Sequence, residues 1–126
     1  MEPFHLHAAS VSVAHNQRFA NVAMADDGCA PTSYVILTCQ FDPDEEDVRL
    51  GLTGVYLEID DQVRAAYRAA IRWALEQRKL RIRVDPGAYG RLRIRGDVVI
   101  EIADAAIDLE KLDAALVAIF KSGPSP

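Results

Sequence analysis

The end of the chain carries the one stretch that admits a single reading. Leu109, Leu112, Leu116, Ile119 and Phe120 fall on one helical stripe, and Asp108 stands where an N-cap belongs. Lys121 suits the last turn, Gly123 the C′ position and Pro124 the stop. A helix with one apolar stripe must bury it, and most of what precedes it alternates as strands do. This combination predicts an α+β fold: a mainly antiparallel sheet of about six to seven strands, with the C-terminal amphipathic helix packed on one face. No repeat or linker interrupts the pattern, so residues 1–126 read as one domain, long enough to bury its own core.

Before the helix the strand signals follow in order. Phe4, Leu6, Val11 and Val13 are the apolar members of a partly alternating run over 4–14, one strand or two short ones. His15-Asn16-Gln17 makes a turn, and 19–25 returns as the second arm of a hairpin. Asp26-Asp27-Gly28 ends it, and Pro31 keeps the next residues extended. Tyr34 to Cys39 is a continuous β-rich run of the kind covered on both faces. Asp42-Pro-Asp-Glu-Glu-Asp47 is a charged loop with room for one helical turn opened by Pro43. Val55 to Ile59 is the clearest strand core, closed by an Asp60-Asp61-Gln62 corner. Leu92-Arg-Ile-Arg and Gly96-Asp97 lead into a last strand, Val98 to Ile102, after turn chemistry over 85–90.

The segment from Asp61 to Val84 has two readings. Val63, Tyr67, Ala70, Ile71, Ala74 and Leu75 keep helical spacing among good helix formers, so propensity favours helix over its first half. Yet Ile71, Trp73 and Leu75 also alternate with Arg72, Ala74 and Glu76. Beyond Gln77-Arg78-Lys79, Leu80, Ile82 and Val84 alternate cleanly with Arg81 and Arg83, which is a strand.

Charge is distributed unevenly. The net value is only −5, but eight acids against Arg49 occupy residues 42–61, and ten basic residues against Glu76 and Asp85 occupy residues 64–95. Such halves either neutralise each other or offer a charged partner a surface. The arginines at 81, 83, 93 and 95 could line one face of a hairpin-like pair. The isoelectric point of about 5.1 argues against nucleic acid as the partner. No segment has the roughly 20 apolar residues of a membrane span, and the N-terminus lacks the features of an export signal. A cytoplasmic protein with Cys29 and Cys39 as reduced thiols is therefore expected.

Catalytic and metal chemistry find little support. His5 and His7 share a strand face, but His15 is the only obvious third ligand for a metal. Asp42, Asp44 and Glu46 open like a calcium loop that fails at Asp47 and Thr53, where glycine and glutamate are needed. Glu58 and Asp60 could pair as acid and base, with no nucleophile beside them. These residues predict a protein that is not an enzyme and needs no cofactor or metal. A small ligand-binding or self-associating regulatory domain remains an alternative, with a pocket lined by Trp73, Tyr56 and Tyr67.

Taken together, Tyr34-Val-Ile-Leu, Asp44-Glu-Glu-Asp-Val-Arg-Leu-Gly51 and Val55 to Tyr67 resemble the immunity protein 10 family of bacterial polymorphic toxin systems. The likeness continues through Leu80 to Val84, Val98 to Ile102 and the closing helix. Its most specific part is Glu58-x-x-Asp61-Gln62-x-Arg64-x-x-Tyr67, with Gly51 and Tyr56 as further motif positions. Family members typically follow this tyrosine with glycines, where this chain has Arg68-Ala-Ala70. The resemblance implies that 71–76 and 80–84 form a β-hairpin, reversing the helical preference. It also implies an antitoxin that binds a cognate toxin domain. Asp44, Glu45, Glu46 and Asp47, with Glu58, Asp60 and Asp61, are the acids expected to meet the toxin; Glu58 and Gln62 have an equal claim to a structural role at the turn.

Overall fold

The computed structural model describes residues 1–121. It contains nine strands in two sheets: β1 (Phe4–Ala8), β2 (Ser10–His15), β3 (Phe19–Ala25), β4 (Tyr34–Gln40), β5 (Tyr56–Ile59), β6 (Asp61–Tyr67), β7 (Ala70–Glu76), β8 (Lys79–Val84) and β9 (Val98–Ile102). Helices α1 (Glu45–Arg49), α2 (Tyr89–Leu92) and α3 (Leu109–Phe120) punctuate them, with a 3-10 turn at Pro86–Ala88. Strands β2-β3-β4-β5-β6 form an antiparallel meander, and β1-β9-β8-β7 form the second sheet, in which only β1 and β9 run parallel. The α+β class, the antiparallel bias and the C-terminal helix are as the sequence predicts. The strand number rises to nine because 4–14 divides at Ala9 and because 61–76 is strand throughout.

Alternation explains the core. Along β3 the buried residues are Ala20, Val22 and Met24, along β4 Val35, Leu37 and Cys39, and along β5 Leu57 and Ile59. β4 is thus buried on one face, with Tyr34, Ile36 and Thr38 half-buried on the other, rather than covered on both. Helix α3 lies on this inner face, mainly against β3, and also reaches β7 of the second sheet. Leu112, Ala115, Leu116 and Ile119 supply its buried stripe, and the rings of Phe120 and Trp73 meet at 6.4 Å. Leu80, Ile82, Val98 and Ile100 from the second sheet complete one contiguous apolar cluster with them.

Helix α3 begins as expected: the Asp108 carboxylate accepts from the amides of Glu110 at 3.0 Å and Lys111 at 3.3 Å. Its end differs. Lys121 itself takes the left-handed conformation, φ 52°; Gly123 and Pro124, expected as the stop, lie outside the described residues.

The residue-level preference for helix over 61–76 is overturned, and the hairpin implied by the family resemblance is present. β6 pairs with β5, and β7 pairs with β8, since only strands there bury Trp73, Leu80 and Ile82 together. A further correction concerns 92–95: instead of a strand, Leu92 closes α2, Arg93 is left-handed at φ 59°, and Ile94 plugs into the core at 2% exposure. Arg93 and Arg95 therefore do not extend the arginine ladder of β8. Pro43 also precedes the helical turn instead of opening it, because Asp44 is the N-cap of α1.

Deleting the buried side chain in Leu116→Ala should destabilise the fold by about 3 kcal/mol, and removing the cap in Asp108→Ala by about 1 kcal/mol. Urea denaturation followed by circular dichroism measures both, and an equal effect of the two substitutions would contradict this packing of α3.

Candidate functional site

The outer face of the meander is the part of the molecule to which the motif residues converge. Tyr56 and Glu58 project from β5 and Ala65 and Tyr67 from β6, in register with Thr38 and Ile36 of β4. The Tyr56 and Tyr67 rings meet at 5.1 Å, tilted by 56°. Above them hang α1 and the loop that follows it, so that Phe19, Thr38, Asp47, Leu52, Tyr56 and Tyr67 enclose a cavity of about 400 Å³. Trp73 belongs to the other sheet, so the three-aromatic pocket of the ligand-binding alternative does not form; Tyr56 and Tyr67 line one depression and Trp73 another.

Glu58 is the only buried polar or charged side chain among the described residues, 7% exposed. Its two carboxylate oxygens accept from the phenols of Tyr34 and Tyr56, each at 2.5 Å. That network fixes both rings on the sheet. It also acts on the phenols: the hydrogen bond to Glu58, followed by burial, pushes Tyr34 up to about 12. Tyr56 rises further, through burial first and the Glu58 hydrogen bond second. Glu58 and Asp60 do not converge on a common point as an acid–base pair, since one is sealed by tyrosines and the other holds the corner.

That corner depends on Asp60, which adopts φ 64°, a conformation disfavoured for most side chains. Its Oδ1 accepts from the Ser33 hydroxyl at 2.7 Å and the Tyr34 amide at 2.8 Å. Its Oδ2 faces Arg64 Nη1 at 3.3 Å, and Arg64 Nε donates to the Leu92 carbonyl at 3.0 Å. Asp60 and the motif residue Arg64 thus tie β4, β6 and α2 into one unit. Pairing shifts register between Glu58 and Ile59, which leaves 62–64 as a bulge. The Asp61 carboxylate accepts from the Val63 amide at 3.0 Å inside it. Asp61 and Gln62 are exposed, and Gln62 borders the depression beside Arg68. Glu58 therefore bonds two phenols and not the backbone of the turn, and Gln62 faces solvent.

Arg68 directly follows the motif tyrosine Tyr67, and the structure explains how its side chain is tolerated. The residue is left-handed, φ 60°, and its Nη1 donates to the carbonyls of Gly51 at 3.0 Å and Thr53 at 2.9 Å. The clamp requires Gly54, whose missing Cβ would fall 2.9 Å from Arg68 Cγ. Gly51 and Gly54 are themselves left-handed, φ 75° and 83°. This guanidinium holds the loop that carries α1.

Sequence reasoning missed the apolar content of that loop. Val48, Leu50 and Leu52 are 58%, 59% and 40% exposed, adjoining Asp44, Glu45, Glu46 and Asp47. Asp44 caps α1 by accepting from the Asp47 amide at 2.8 Å, while Glu45 and Glu46 are exposed and Asp47 is half-buried at the cavity rim. The signal was present as three aliphatics in a charged loop. The histidines gather no site: His5 and His7 lie on β1, His7 near Glu101 at 3.8 Å, while His15 ends β2 of the other sheet against Phe41. Cys29 and Cys39 are both free, one exposed and one buried.

The neutral phenols are favoured by folding, so Tyr34 contributes stability that is whole below its ordinary value of about 10. That contribution is lost as pH rises through about 12. Alkaline difference spectroscopy should find Tyr34 and Tyr56 ionising late, and earlier in Glu58→Gln, which removes the charge that opposes phenolate. Glu58→Ala should also lower stability by about 2 kcal/mol, because two phenols lose their acceptor. For Arg68→Gly, relief of the left-handed backbone offsets much of the lost clamp. Global stability should change by less than about 1 kcal/mol, while amides in 50–54 lose protection from hydrogen exchange.

Among the described residues no helix is long and apolar enough to cross a membrane. A comparison with curated proteins finds no match. The model of one protein family, described as Immunity protein 10, matches residues 6–111, from β1 into α3, and so spans both sheets and the whole of the surface described above. The chain belongs to the Immunity protein 10 family.

Proposed function

We propose that residues 1–126 act as one immunity domain that binds and neutralises a cognate toxin of a bacterial polymorphic toxin system, without catalysis, in the cytoplasm of the cell it protects. Membership of the family carries this reading. The surface around α1 supports it. Protein interfaces derive most of their affinity from a few apolar or aromatic anchors shielded by a polar rim. Val48, Leu50 and Leu52 provide such anchors and Asp44, Glu45, Glu46 and Asp47 such a rim.

In this reading the acids have two roles. Asp44, Glu45, Glu46, Asp47 and Asp61 supply the negative field that speeds encounter with a cationic toxin cleft. Glu58 and Asp60 act through what they hold. Glu58 presents the Tyr34 and Tyr56 rings, and Asp60 sets the β5–β6 corner.

Co-expression with the toxin encoded by the neighbouring gene should rescue growth, and the two proteins should elute as a one-to-one complex. Failure of both would sink the proposal. Glu45→Lys with Glu46→Lys should slow association by about tenfold at low salt, an effect that fades as salt rises. Leu50→Ser should act instead on dissociation, making it faster. Surface plasmon resonance separates the two rates.

A further inference from the structure

The outer face of the second sheet carries a positive charge that the fold does not use. Of the ten basic residues between 64 and 95, Arg64, Arg68 and Arg78 donate to backbone carbonyls of other elements. Arg72, Arg81 and Arg83 do not. Cross-strand register sets Arg72 directly opposite Arg83, and Arg81 follows two residues along the same face of β8. Like charges facing each other across an antiparallel pair are destabilising.

Little around them relieves the repulsion. Asp97 reaches Arg81 at 3.6 Å, and among the described residues neither Arg72 nor Arg83 has an ion-pair partner within 4.0 Å. Glu76 is paired across the strands with Lys79, beyond Ala74 and Arg81. Arg72, Arg81 and Arg83 line a depression of about 400 Å³ together with Ala74, Tyr89 and Asp97, while the Trp73 side chain between them is buried on the other face of the sheet.

We infer that Arg72, Arg81 and Arg83 form a binding site for a small doubly charged oxyanion of the phosphate class. Charge balance selects the ligand: two guanidinium groups lack a counter-charge and a third is shared with Asp97, which calls for a dianion over a carboxylate. The forked donors of arginine match phosphate oxygens in pairs. The site lies on the other sheet from the α1 surface, so it stands or falls independently of the toxin-binding reading.

Isothermal titration calorimetry reads binding at this site directly. Titration of the full chain with inorganic phosphate should give a saturable change at constant ionic strength, while acetate and chloride give none. Arg83→Ser should weaken phosphate binding by about tenfold or more, and Arg91→Ser, away from the depression, should leave it intact. In phosphate-free buffer Arg72→Thr should raise the melting temperature, since it removes a repulsive pair. Parallel, unsaturable responses to all three anions, an unaltered titration in Arg83→Ser, or a lower melting temperature in Arg72→Thr would each overturn the assignment. So would much tighter binding of a short oligonucleotide with a steep salt dependence, which would make the partner a polymer.

Discussion

Hydrogen bonds from arginine side chains to distant carbonyl groups hold this fold in shape. Arg64 joins β6 to Leu92, Arg68 joins the β6 end to Gly51 and Thr53, and Arg78 joins the β7–β8 turn to Ile102 and Asp104. A guanidinium offers five donors in a rigid fork and keeps its charge at any ordinary pH, so one side chain can satisfy several carbonyls that loops leave open. Two of these arginines, Arg68 and Arg78, are themselves in left-handed conformations, φ 60° and 66°. Glycine would enter that region without strain but would offer nothing to the neighbouring loop. Here the backbone strain, of order 1 kcal/mol, is offset by contacts that only a long side chain can make.

The same interactions determine what the outer surface presents. The clamp from Arg68 keeps α1 poised over the meander, so an acidic turn, three exposed aliphatics and a pair of tyrosines in contact share one side of the molecule. Glu58 makes the tyrosines part of the scaffold. A carboxylate at 7% exposure is tolerable because both of its oxygens are hydrogen-bonded. Rings fixed in this way lose little freedom when a partner covers them, which favours tight association.

Strands with clean alternation, and α3 with its cap, could be read from residues alone. The stretch 61–76 could not. Alanine and arginine favour helix in isolation, and what reverses the preference is the burial of Trp73 and the pairing of β7 with β8, both long-range. The β7–β8 turn gave no local signal either. A two-residue loop with both φ positive normally advertises itself as Asn-Gly, but here Gln77-Arg78 takes that conformation, at φ 49° and 66°. Arg93 misled in the opposite way: its alternation with Arg95 imitates a strand, although Ile94 is buried as a plug after α2. At the site, the acids were visible but their division of labour was not, because Glu58 and Asp60 take their roles from partners on β4.

The parallel pairing of β1 with β9 has a consequence for how the chain is made. Phe4 aligns with Val98 and Ala8 with Ile102, so β1, made before the meander, waits for β9, made after it. The meander β2–β6 needs only neighbours in sequence and can assemble during synthesis, which proceeds at about 5–20 residues per second. Until β9 emerges, β1 has no partner strand, and the second sheet cannot close over the apolar face of the first. Folding should therefore finish in a late, length-dependent step, with loop closure between β1 and β9 setting its rate.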